Sequence, residues 1–250
     1  MIKIKKLIRT LLVIIGFSIF GFGAIILQNI ILPIVRLTFK KDDVVKLKFN
    51  EILQKSWQFF IGLLKFFGII RIDSKDIEKL KNIKNSIIIS THPSYIDVLI
   101  LISIIPHSTC FVAERLMNNV FFNKIVKLLF ISEGQPVEQW SQEAVEMLDN
   151  DFNLIIFPMG IRHRKNEHPK IRRGTALLAQ KTKKNIIMIN METNFDFLQI
   201  HQPFYEAGSE TVVYSVKYLG EIDTKEFLNK YPDEVTFKTE LTKYIAKTLY

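Results

Sequence analysis

The hydrophobic residues of this chain are most concentrated near its N-terminus, where no charged residue occurs between Arg9 and Arg36. A helix that crosses a bilayer needs about 20 consecutive apolar residues, and this run is longer. A cleaved signal peptide would have a shorter apolar core followed by a small-residue cleavage site, and no such site follows here. We therefore expect residues 1–43 to form a retained membrane-anchor helix. The alternatives are a helix lying in one leaflet, a segment that dips into the bilayer near Pro33, and a buried core helix.

A second apolar segment, residues 44–70, differs from the first because lysines interrupt it. Aromatic residues such as Trp57 occur beside lysines such as Lys65. This mixture suits an amphipathic membrane-docking helix at the headgroup level, where the lysine stems extend outward. Packing of the helix against the rest of the protein would explain the same pattern equally well. Gly68 predicts the end of this helix before Arg71.

From about residue 71 the pattern changes to short apolar runs separated by longer amphipathic stretches. The runs are predicted as strands: Ser86–Ser90, Thr109–Val112, Leu128–Ser132, Leu154–Phe157, Ile186–Asn190 and Val212–Val216. The stretches are predicted as helices near residues 93–105, 115–127, 137–149, 173–184, 224–230 and 234–249. Helices of this length between strands imply crossover connections, so we expect an α/β fold with a mixed, mostly parallel sheet flanked by helices. Residues 71–250 are assigned to this one domain.

Charge and composition narrow the function classes. The chain carries a formal net charge of +9 with 48% hydrophobic residues, and its mean hydropathy is +0.16. Disorder is excluded because so apolar a chain offsets its ordering entropy by burial. A disulfide framework is excluded because Cys110 is the only cysteine. Basic charge beside apolar segments favours membrane lipids over nucleic acid as a partner. The sequence contains no glycine-rich nucleotide loop and no metal-ligand cluster, so no cofactor is expected.

The first candidate for chemistry is the segment His92-Pro93-Ser94-Tyr95-Ile96-Asp97, which directly follows a predicted buried strand. Pro93 favours the first position of the following helix, which would make His92 its cap residue. From outside the first turn the ring of His92 can fold back toward Asp97, although residues five apart within a helix cannot meet. A carboxylate that fixes the imidazole tautomer leaves the other ring nitrogen to take a proton from a substrate hydroxyl. Ordinary helix capping is the alternative explanation.

The second candidate is the segment Phe157-Pro158-Met159-Gly160-Ile161-Arg162, which follows another predicted buried strand. Its proline and glycine force a turn at the strand end. Six Arg or Lys residues against one acidic residue, Glu167, then lie between Arg162 and Arg173. A guanidinium at a strand end suits bidentate capture of a phosphate or carboxylate. A solvated basic loop beside an anionic membrane is the alternative for most of these charges, but not for Arg162.

Together the two segments resemble the PlsC-like glycerolipid acyltransferases, a family that includes the lysophosphatidic acid acyltransferases. Residues 92–97 look like the family's His-x4-Asp motif, and residues 157–162 occupy the place of its Phe-Pro-Glu-Gly-Thr-Arg block. The segment Arg173–Ala179 is similar to the family's Gly-Ala-rich helix, and the resemblance covers residues 56–220. Both motifs in this order are far more specific than either alone.

This resemblance implies the glycerolipid acyltransferase fold with N-terminal membrane-associated helices. It also implies transfer of a fatty acyl chain from a thioester, on CoA or acyl carrier protein, to the hydroxyl of a lysophospholipid or related lipid. His92 would be the general base, oriented by Asp97, with no metal and no cofactor besides the donor. The expected location is a bacterial inner membrane with the active site at its cytoplasmic face, and the oligomeric state stays open.

The same resemblance assigns acceptor binding to Gly160, Arg162 and Arg115. Arg162 would bind the acceptor phosphate, Gly160 would allow the backbone to approach it, and Arg115 would replace a lysine that many members carry nearby. Met159 and Ile161 depart from the family's glutamate and threonine, so two polar groups would be missing beside the acceptor site. Simple lysophosphatidate is therefore a less secure acceptor, and a different lysolipid, a glycolipid or a polyene lipid is the alternative.

Two functions from other classes stay open on the sequence. A degenerate member of the family would bind lipid without catalysis; Met159 argues mildly for this, whereas the intact His92 and Asp97 argue against it. A hydrolase with Ser90 or Ser94 as its nucleophile is the other, although neither serine lies in a G-x-S-x-G elbow.

Overall fold

Strands and helices alternate along most of the chain in the computed structural model, which describes residues 2–163, 167, 169–206 and 208–250. The strands are β1 (Ile70–Asp73), β2 (Ile87–Ser90), β3 (Ser108–Val112), β4 (Ile131–Ser132), β5 (Asn153–Ile156), β6 (Ile186–Thr193) and β7 (Val212–Ile222). The helices are α1 (Ile2–Ile26), α2 (Leu32–Thr38), α3 (Asp42–Phe66), α4 (Ile77–Lys81), α5 (Asp97–Ile104), α6 (Glu114–Met117), α7 (Asn123–Leu129), α8 (Val137–Asp149), α9 (Gly174–Thr182), α10 (Thr224–Lys230) and α11 (Glu234–Leu249).

The strands form one sheet in the order β1-β7-β6-β2-β5-β3-β4. Neighbouring strands are parallel throughout, except for the antiparallel pair of β6 and β7. The prediction of a mixed, mostly parallel sheet flanked by helices is confirmed. Because β2 to β6 all run in one direction, their carboxyl ends share one edge of the sheet. The loops that leave this edge carry both candidate segments.

Successive residues of the central strands face opposite sides of the sheet, as the pleat requires. Ile88 and Ile155 join an apolar layer with α1, α3, α5 and α7, on what we call the front face. Ile87 and Ile156 join the layer with α8, α9 and α11, on the rear face. Burial on both faces explains why these strands read as continuous apolar runs in the sequence.

The N-terminal apolar segment is a helix that continues from α1 through a π-helical turn at Leu27–Ile31 into α2. Pro33 has no amide hydrogen to donate to a carbonyl one turn earlier, and the widened turn before it accommodates this loss. The chain therefore passes Pro33 without turning back. Among the described residues, Ile4–Thr38 is the one helix long and apolar enough to cross a membrane, by length and composition alone.

One side of this N-terminal helix packs against the α/β domain. The buried guanidinium of Arg9 donates hydrogen bonds to the carbonyls of Gly68, at 2.9 Å, and Glu210, at 2.5 Å. Farther along, the side-chain amide of Gln28 donates to the carbonyl of Val120 at 2.7 Å. The opposite side exposes large apolar side chains: Ile4, Leu7, Ile8, Leu11, Ile14, Ile15, Ile19 and Phe22. The helix is therefore attached along its length, with an unburied apolar face, and does not fit the buried-core alternative.

Helix α3, which the sequence places within residues 44–70, packs its inward side on the front face. Its buried side chains include Phe49, Leu53, Trp57, Phe60 and Leu64. On the outward side Phe66 is 84% exposed. The helix ends at Phe66, and Gly68 has a φ of +66°, a left-handed conformation that suits glycine after a helix. Helix α3 therefore packs one side against the domain and exposes an aromatic residue on the other side.

Several predicted boundaries are wrong. Leu128–Ser132 was expected as a strand, but α7 continues to Leu129 and only Ile131–Ser132 pair in the sheet. Short apolar runs do not distinguish a buried strand from a buried helix end, because periodicity needs more residues than they contain. The helix expected over 115–127 is two short helices, α6 and α7. Strand β1 and helix α4 were not predicted, since charged residues interrupt both.

Candidate active site

Residues 91–96 form an irregular loop between β2, which ends at Ser90, and α5, which begins at Asp97. The helix expected from residue 93 therefore starts later, and Ile96 is its cap residue. The prediction that His92 caps this helix is wrong. Its consequence still holds, because His92 lies outside the helix and its ring is free to turn back toward the first helical residue.

Bonds to segments far away in the sequence hold this loop. The hydroxyl of Thr91 donates to the carbonyl of Met191 at 2.8 Å and accepts from the amide of the same residue at 2.6 Å, which ties the loop to β6. The backbone amide of His163 donates to the carbonyl of His92 at 3.1 Å. These tertiary bonds compete with helix formation, which is why the local sequence pattern misplaces the helix start.

The structure brings His92 and Asp97 together. The distance from His92 Nδ1 to Asp97 Oδ2 is 3.0 Å, and the backbone amide of Ser94 donates to the same oxygen at 2.7 Å. Asp97 is fully buried, whereas the His92 side chain is 18% exposed. The imidazole stacks on the ring of Phe157, with centroids 4.0 Å apart. The ring is thus fixed in its plane by Phe157 and in its rotation by Asp97.

The electrostatics of this pair follow from its burial. Burial raises the pKa of Asp97, and hydrogen bonds from His92 and Ser94 and the charge of Arg162 oppose that rise. When Asp97 is ionised it accepts the Nδ1 proton of His92, which leaves Nε2 as the basic nitrogen. Asp97 Oδ1 has no hydrogen-bond partner among the described residues, so the orientation of the ring depends on Oδ2. The arrangement can position a general base.

The turn after β5 separates the side chains of Phe157-Pro158-Met159-Gly160-Ile161-Arg162. The amide of Gly160 donates to the carbonyl of Phe157 at 2.8 Å, and Gly160 has a φ of +70°. Met159 is only 3% exposed and packs in the rear apolar layer. It is not among the described residues that line the cavity near His92. The Met159 side chain therefore points into the core and not into the cavity, and the expectation that a polar group is missing beside the acceptor stays a prediction. Ile161 does line the cavity.

Arg162 lies beside the His92 loop. Its Nη1 donates to the carbonyl of Leu198 at 2.5 Å, and its Cζ lies 5.4 Å from the centre of the Tyr95 ring. Burial lowers the pKa of Arg162, as does the charge of Arg115, while Tyr95 and Asp97 oppose this. Both arginines line the same cavity. One nitrogen of the Arg162 guanidinium is thus bonded to the protein backbone. Together, Arg115 and Arg162 make this part of the cavity positive.

Gly160 has a different neighbour from the one expected. A Cβ atom at this position would lie 2.3 Å from Cζ of Arg172. Gly160 therefore makes room for the guanidinium of Arg172. The role given to Gly160 from the sequence, which is to let the acceptor approach the backbone, stays a prediction. Arg172 also lines the cavity, although the sequence did not single it out. Of the remaining basic cluster, Arg164 and Lys165 lie outside the described residues.

One cavity of about 510 Å³ connects these groups at the carboxyl edge of the sheet. Its polar part includes His92, Arg115, Arg162 and Arg172. An apolar part on the front face, the front lobe, is lined by Phe20, Leu27, Leu53, Trp57, Phe122, Ile125 and Phe130. Another part, on the rear face, is the rear lobe, and it is lined by Phe111, Trp140, Ile156, Gly174, Thr175 and Leu178. A cavity of this size with few polar groups is typical of a small-molecule site.

Comparison with known proteins identifies the family. A family model described as Acyltransferase matches residues 71–217. The chain belongs to the acyltransferase family. Human 1-acyl-sn-glycerol-3-phosphate acyltransferase beta is 18% identical over 162 residues, which are 61% of this acyltransferase and 58% of the human protein. The crystal structure of the 1-acyl-sn-glycerophosphate (LPA) acyltransferase PlsC from Thermotoga maritima matches with a TM-score of 0.72 and 14% identity. That match covers 100% of this chain and 96% of the other, and it shows the shared fold.

The serines proposed for a hydrolase are not placed as nucleophiles in this acyltransferase. Ser90 is fully buried and its hydroxyl donates to the carbonyl of Thr91 at 2.9 Å. Ser94 is also fully buried, and its hydroxyl accepts a hydrogen bond from Tyr214 at 2.7 Å. Burial raises the pKa of the Cys110 thiol, which disfavours the reactive thiolate. His92 is therefore the better candidate for the chemistry.

The sequence missed three contributors to this site. Phe157 was predicted as a strand end and as the first residue of the second candidate segment, without a role of its own, yet its ring stacks on His92. Arg172 and Thr175 lie before and within the first turn of α9, and both line the cavity. The signals near them were the basic cluster, which includes Arg172, and the similarity of Arg173–Ala179 to a family helix. In the part of the chain that the structure describes, no group of three or more His, Cys, Asp or Glu could hold a metal ion.

Proposed function

We propose that this acyltransferase moves a fatty acyl chain from the thioester of CoA or acyl carrier protein to the hydroxyl of a lysophospholipid or related lipid. The observation that carries the proposal is the bond of His92 to buried Asp97, in one cavity with both an arginine pair and an apolar lobe. The human and Thermotoga relatives, named as acyltransferases of 1-acyl-sn-glycerol 3-phosphate and 1-acyl-sn-glycerophosphate, support this substrate class.

The chemistry requires one base and no covalent enzyme intermediate. Nε2 of His92 takes the proton of the acceptor hydroxyl while the hydroxyl oxygen attacks the thioester carbon. The tetrahedral intermediate then collapses, the carbon–sulfur bond breaks, and the departing sulfur takes the proton back from the imidazolium. Asp97 stabilises the imidazolium between these steps. General base catalysis of this kind contributes about 10²- to 10⁴-fold to a rate.

The front lobe suits the acyl chain of the donor. Its lining is aromatic and aliphatic, with Leu53, Trp57 and Phe130 buried in the front layer. Each methylene transferred from water to such surroundings contributes about 0.8 kcal/mol. The volume of the lobe limits how many methylenes enter, so it sets a preferred chain length.

Arg115 and Arg162 suit the anionic headgroup of the acceptor. Guanidinium groups bind phosphate oxygens through pairs of parallel hydrogen bonds. Arg162 spends one Nη1 bond on the carbonyl of Leu198, and Arg115 is exposed at the cavity. A single phosphate held by both arginines accounts for the arrangement better than the glycolipid or polyene acceptors. The intact His92–Asp97 pair likewise favours catalysis over mere lipid binding.

The membrane attachment proposed here is to one leaflet, through the outer face of α1. Bonds from Arg9, in the first part of α1, and from Gln28, in the π-helical turn that follows α1, tie this helix to the domain. A helix bound to a polar domain along its length cannot also cross the bilayer, whereas its exposed apolar face can enter one leaflet. The location predicted from the sequence, the cytoplasmic face of a bacterial inner membrane, stays part of this proposal.

The test is a matrix of donors and acceptors with purified protein. Palmitoyl-CoA and palmitoyl carrier protein are each offered with lysophosphatidate, lysophosphatidylethanolamine, lysophosphatidylglycerol and a glycolipid, and products are identified by mass. We expect transfer for at least one pair, reduced about 10²- to 10⁴-fold in His92→Asn. His107→Asn is the matched control, because His107 precedes β3 at the opposite edge of the sheet. Transfer in no pair, or equal transfer by His92→Asn, would overturn the proposal.

A further inference from the structure

The cavity extends around the ends of two strands to the rear face of the sheet. Cys110 and Phe111 are neighbours on β3, and Ile155 and Ile156 are neighbours on β5. Adjacent strand residues point to opposite faces, yet all four line the cavity. A ligand can therefore leave the reacting centre in two directions, into the front lobe or into the rear lobe.

The rear lobe contains a buried hydroxyl that lacks a partner. Thr175 is 1% exposed, and within the described residues its Oγ1 has no hydrogen-bond partner. Thr175 lines the cavity between apolar residues such as Phe111 and Leu178. Buried hydroxyls are almost always hydrogen-bonded, because leaving one unpaired is costly. The exception here points to a ligand group that bonds to Thr175.

Positive charge borders the rear lobe. Gly174 and Thr175 are the first residues of α9, whose first-turn amides have no partners within the helix. Arg172 lies two residues before Gly174, and its backbone amide donates to the carbonyl of Pro158 at 2.8 Å. This bond holds Arg172 with its guanidinium against Gly160, where both line the cavity. The lobe thus combines an apolar wall and one hydroxyl with a cationic border.

We propose that the rear lobe binds the 4′-phosphopantetheine arm of the acyl donor. Thr175 Oγ1 bonds to an amide of the arm, and Arg172 with the first turn of α9 faces the phosphate of the arm. This inference rests on the proposed function and deepens it, because the arm is common to CoA and acyl carrier protein. It adds a donor site to the acceptor site of Arg115 and Arg162.

The shape of the donor supports this assignment. A thioester donor is linear, and its reacting carbon lies between the acyl chain and the arm, so it needs two outlets from His92. The front lobe is predominantly apolar and matches the chain. The arm carries amides at intervals and ends in a phosphate, which matches a lobe with one free hydroxyl and a cationic border. The acceptor's own acyl chain offers no partner for Thr175.

The first test is Thr175→Val, which removes the hydroxyl and keeps the side-chain volume. We expect the KM for palmitoyl-CoA and palmitoyl carrier protein to rise about 3- to 10-fold, the loss of one neutral hydrogen bond. The KM for the lysolipid stays unchanged. Thr182→Val is the matched control on α9, because the Thr182 hydroxyl bonds to the carbonyl of Leu178 at 2.8 Å. An unchanged donor KM, or a rise in the acceptor KM instead, would overturn the proposal.

The second test separates the phosphate of the arm from other sources of negative charge. Arg172→Gln should raise the KM of palmitoyl-CoA and palmitoyl carrier protein about 10-fold or more, since charged hydrogen bonds are the stronger ones. It should leave palmitoyl-pantetheine, which has no phosphate, unchanged. An effect on CoA alone would point to its nucleotide phosphates, and an effect on the lysolipid would point to the acceptor. Either result would contradict the assignment.

Binding of a donor analogue distinguishes this inference from the proposed function. Palmityl-CoA with a thioether in place of the thioester cannot transfer its chain, so titration calorimetry measures its binding without catalysis. Weaker binding by Thr175→Val and Arg172→Gln would uphold the donor site even if no transfer were found. Equal binding by all three proteins would overturn it, while transfer dependent on His92 would leave the proposed function standing. Thr175→Val should not lower the thermal midpoint, because a methyl group replaces an unpaired hydroxyl.

Discussion

The substitution Asp97→Asn would remove the negative charge beside His92 with almost no change in shape. Asp97 Oδ2 accepts from both His92 Nδ1, at 3.0 Å, and the amide of Ser94, at 2.7 Å. In Asp97→Asn the amide oxygen can take the place of Oδ2 and keep both bonds, while the NH₂ group takes the place of Oδ1, which has no partner among the described residues. The neutral oxygen holds the Nδ1 proton more weakly and does not stabilise the imidazolium that forms when Nε2 takes the substrate proton.

The expected loss follows from that geometry. A hydrogen bond to a charged group contributes about 1.5–3 kcal/mol, which is about 10- to 150-fold in rate. The whole base contribution, about 10²- to 10⁴-fold, is the upper limit. We therefore expect the kcat of Asp97→Asn to fall about 10- to 150-fold. KM should change little, because Asp97 is fully buried.

The thermal stability of Asp97→Asn, unlike its activity, should not fall. Burial raises the pKa of Asp97 in the folded protein, so the folded state favours the protonated acid. Such a group stabilises the fold below its unfolded pKa, and this contribution is lost as the pH rises through the folded pKa. At neutral pH a buried carboxylate is therefore a cost, which asparagine does not carry. The thermal midpoint of Asp97→Asn should equal or exceed that of the wild type at pH 7, and the difference should shrink toward acid pH.

The assay is steady-state transfer with the best donor and acceptor pair, together with thermal unfolding followed by circular dichroism. A kcat within about threefold of the wild type, far less than one charged hydrogen bond contributes, would refute the role given to the Asp97 charge. A large fall in the thermal midpoint at pH 7 would refute the electrostatic argument, since the lost activity would then reflect a damaged fold.

Three further substitutions test other parts of the structure. Tyr214→Phe leaves the buried hydroxyl of Ser94 without its donor, so unfolding measurements should show a loss of about 1–3 kcal/mol. Gly160→Ala places a Cβ at a φ of +70° and against Arg172. It should therefore lower stability by about 1–2 kcal/mol and weaken donor binding. An unchanged thermal midpoint would contradict this. Arg9→Leu should lower the thermal midpoint yet leave vesicle flotation intact, and release from vesicles would contradict membrane attachment through the outer face of α1.

The sheet could be predicted from the sequence where its strands are buried on both sides. Ile87–Ser90 and Asn153–Ile156 are continuous apolar runs between amphipathic helices, and that alternation is typical of crossover connections. Strand β1 could not be found in this way, because Arg71 and Asp73 break its apolar pattern at an edge of the sheet. The order of the strands depends on long-range pairing that no local window contains.

In the candidate site, too, features set by neighbouring residues could be predicted, whereas features set by residues distant in the sequence could not. The approach of His92 to Asp97 could be predicted, because the two residues are close in the sequence and share one loop. The start of α5 could not, since the loop is held by partners such as Met191 and Gln199. Thr175 reads as an ordinary helix residue in the sequence, and only its burial without a partner makes it a candidate.

Chemical rescue of His92→Ala tests the central claim most directly. The imidazole stacks on Phe157 and bonds to Asp97, so its removal leaves a slot of matching shape beside an orienting carboxylate. Acyl transfer by the variant is measured with a series of added imidazoles of different basicity. The account predicts that His92→Ala loses transfer and that the restored rate increases with the basicity of the imidazole. Undiminished transfer by the variant, or restored rates independent of basicity, would contradict the assignment of His92 as the general base.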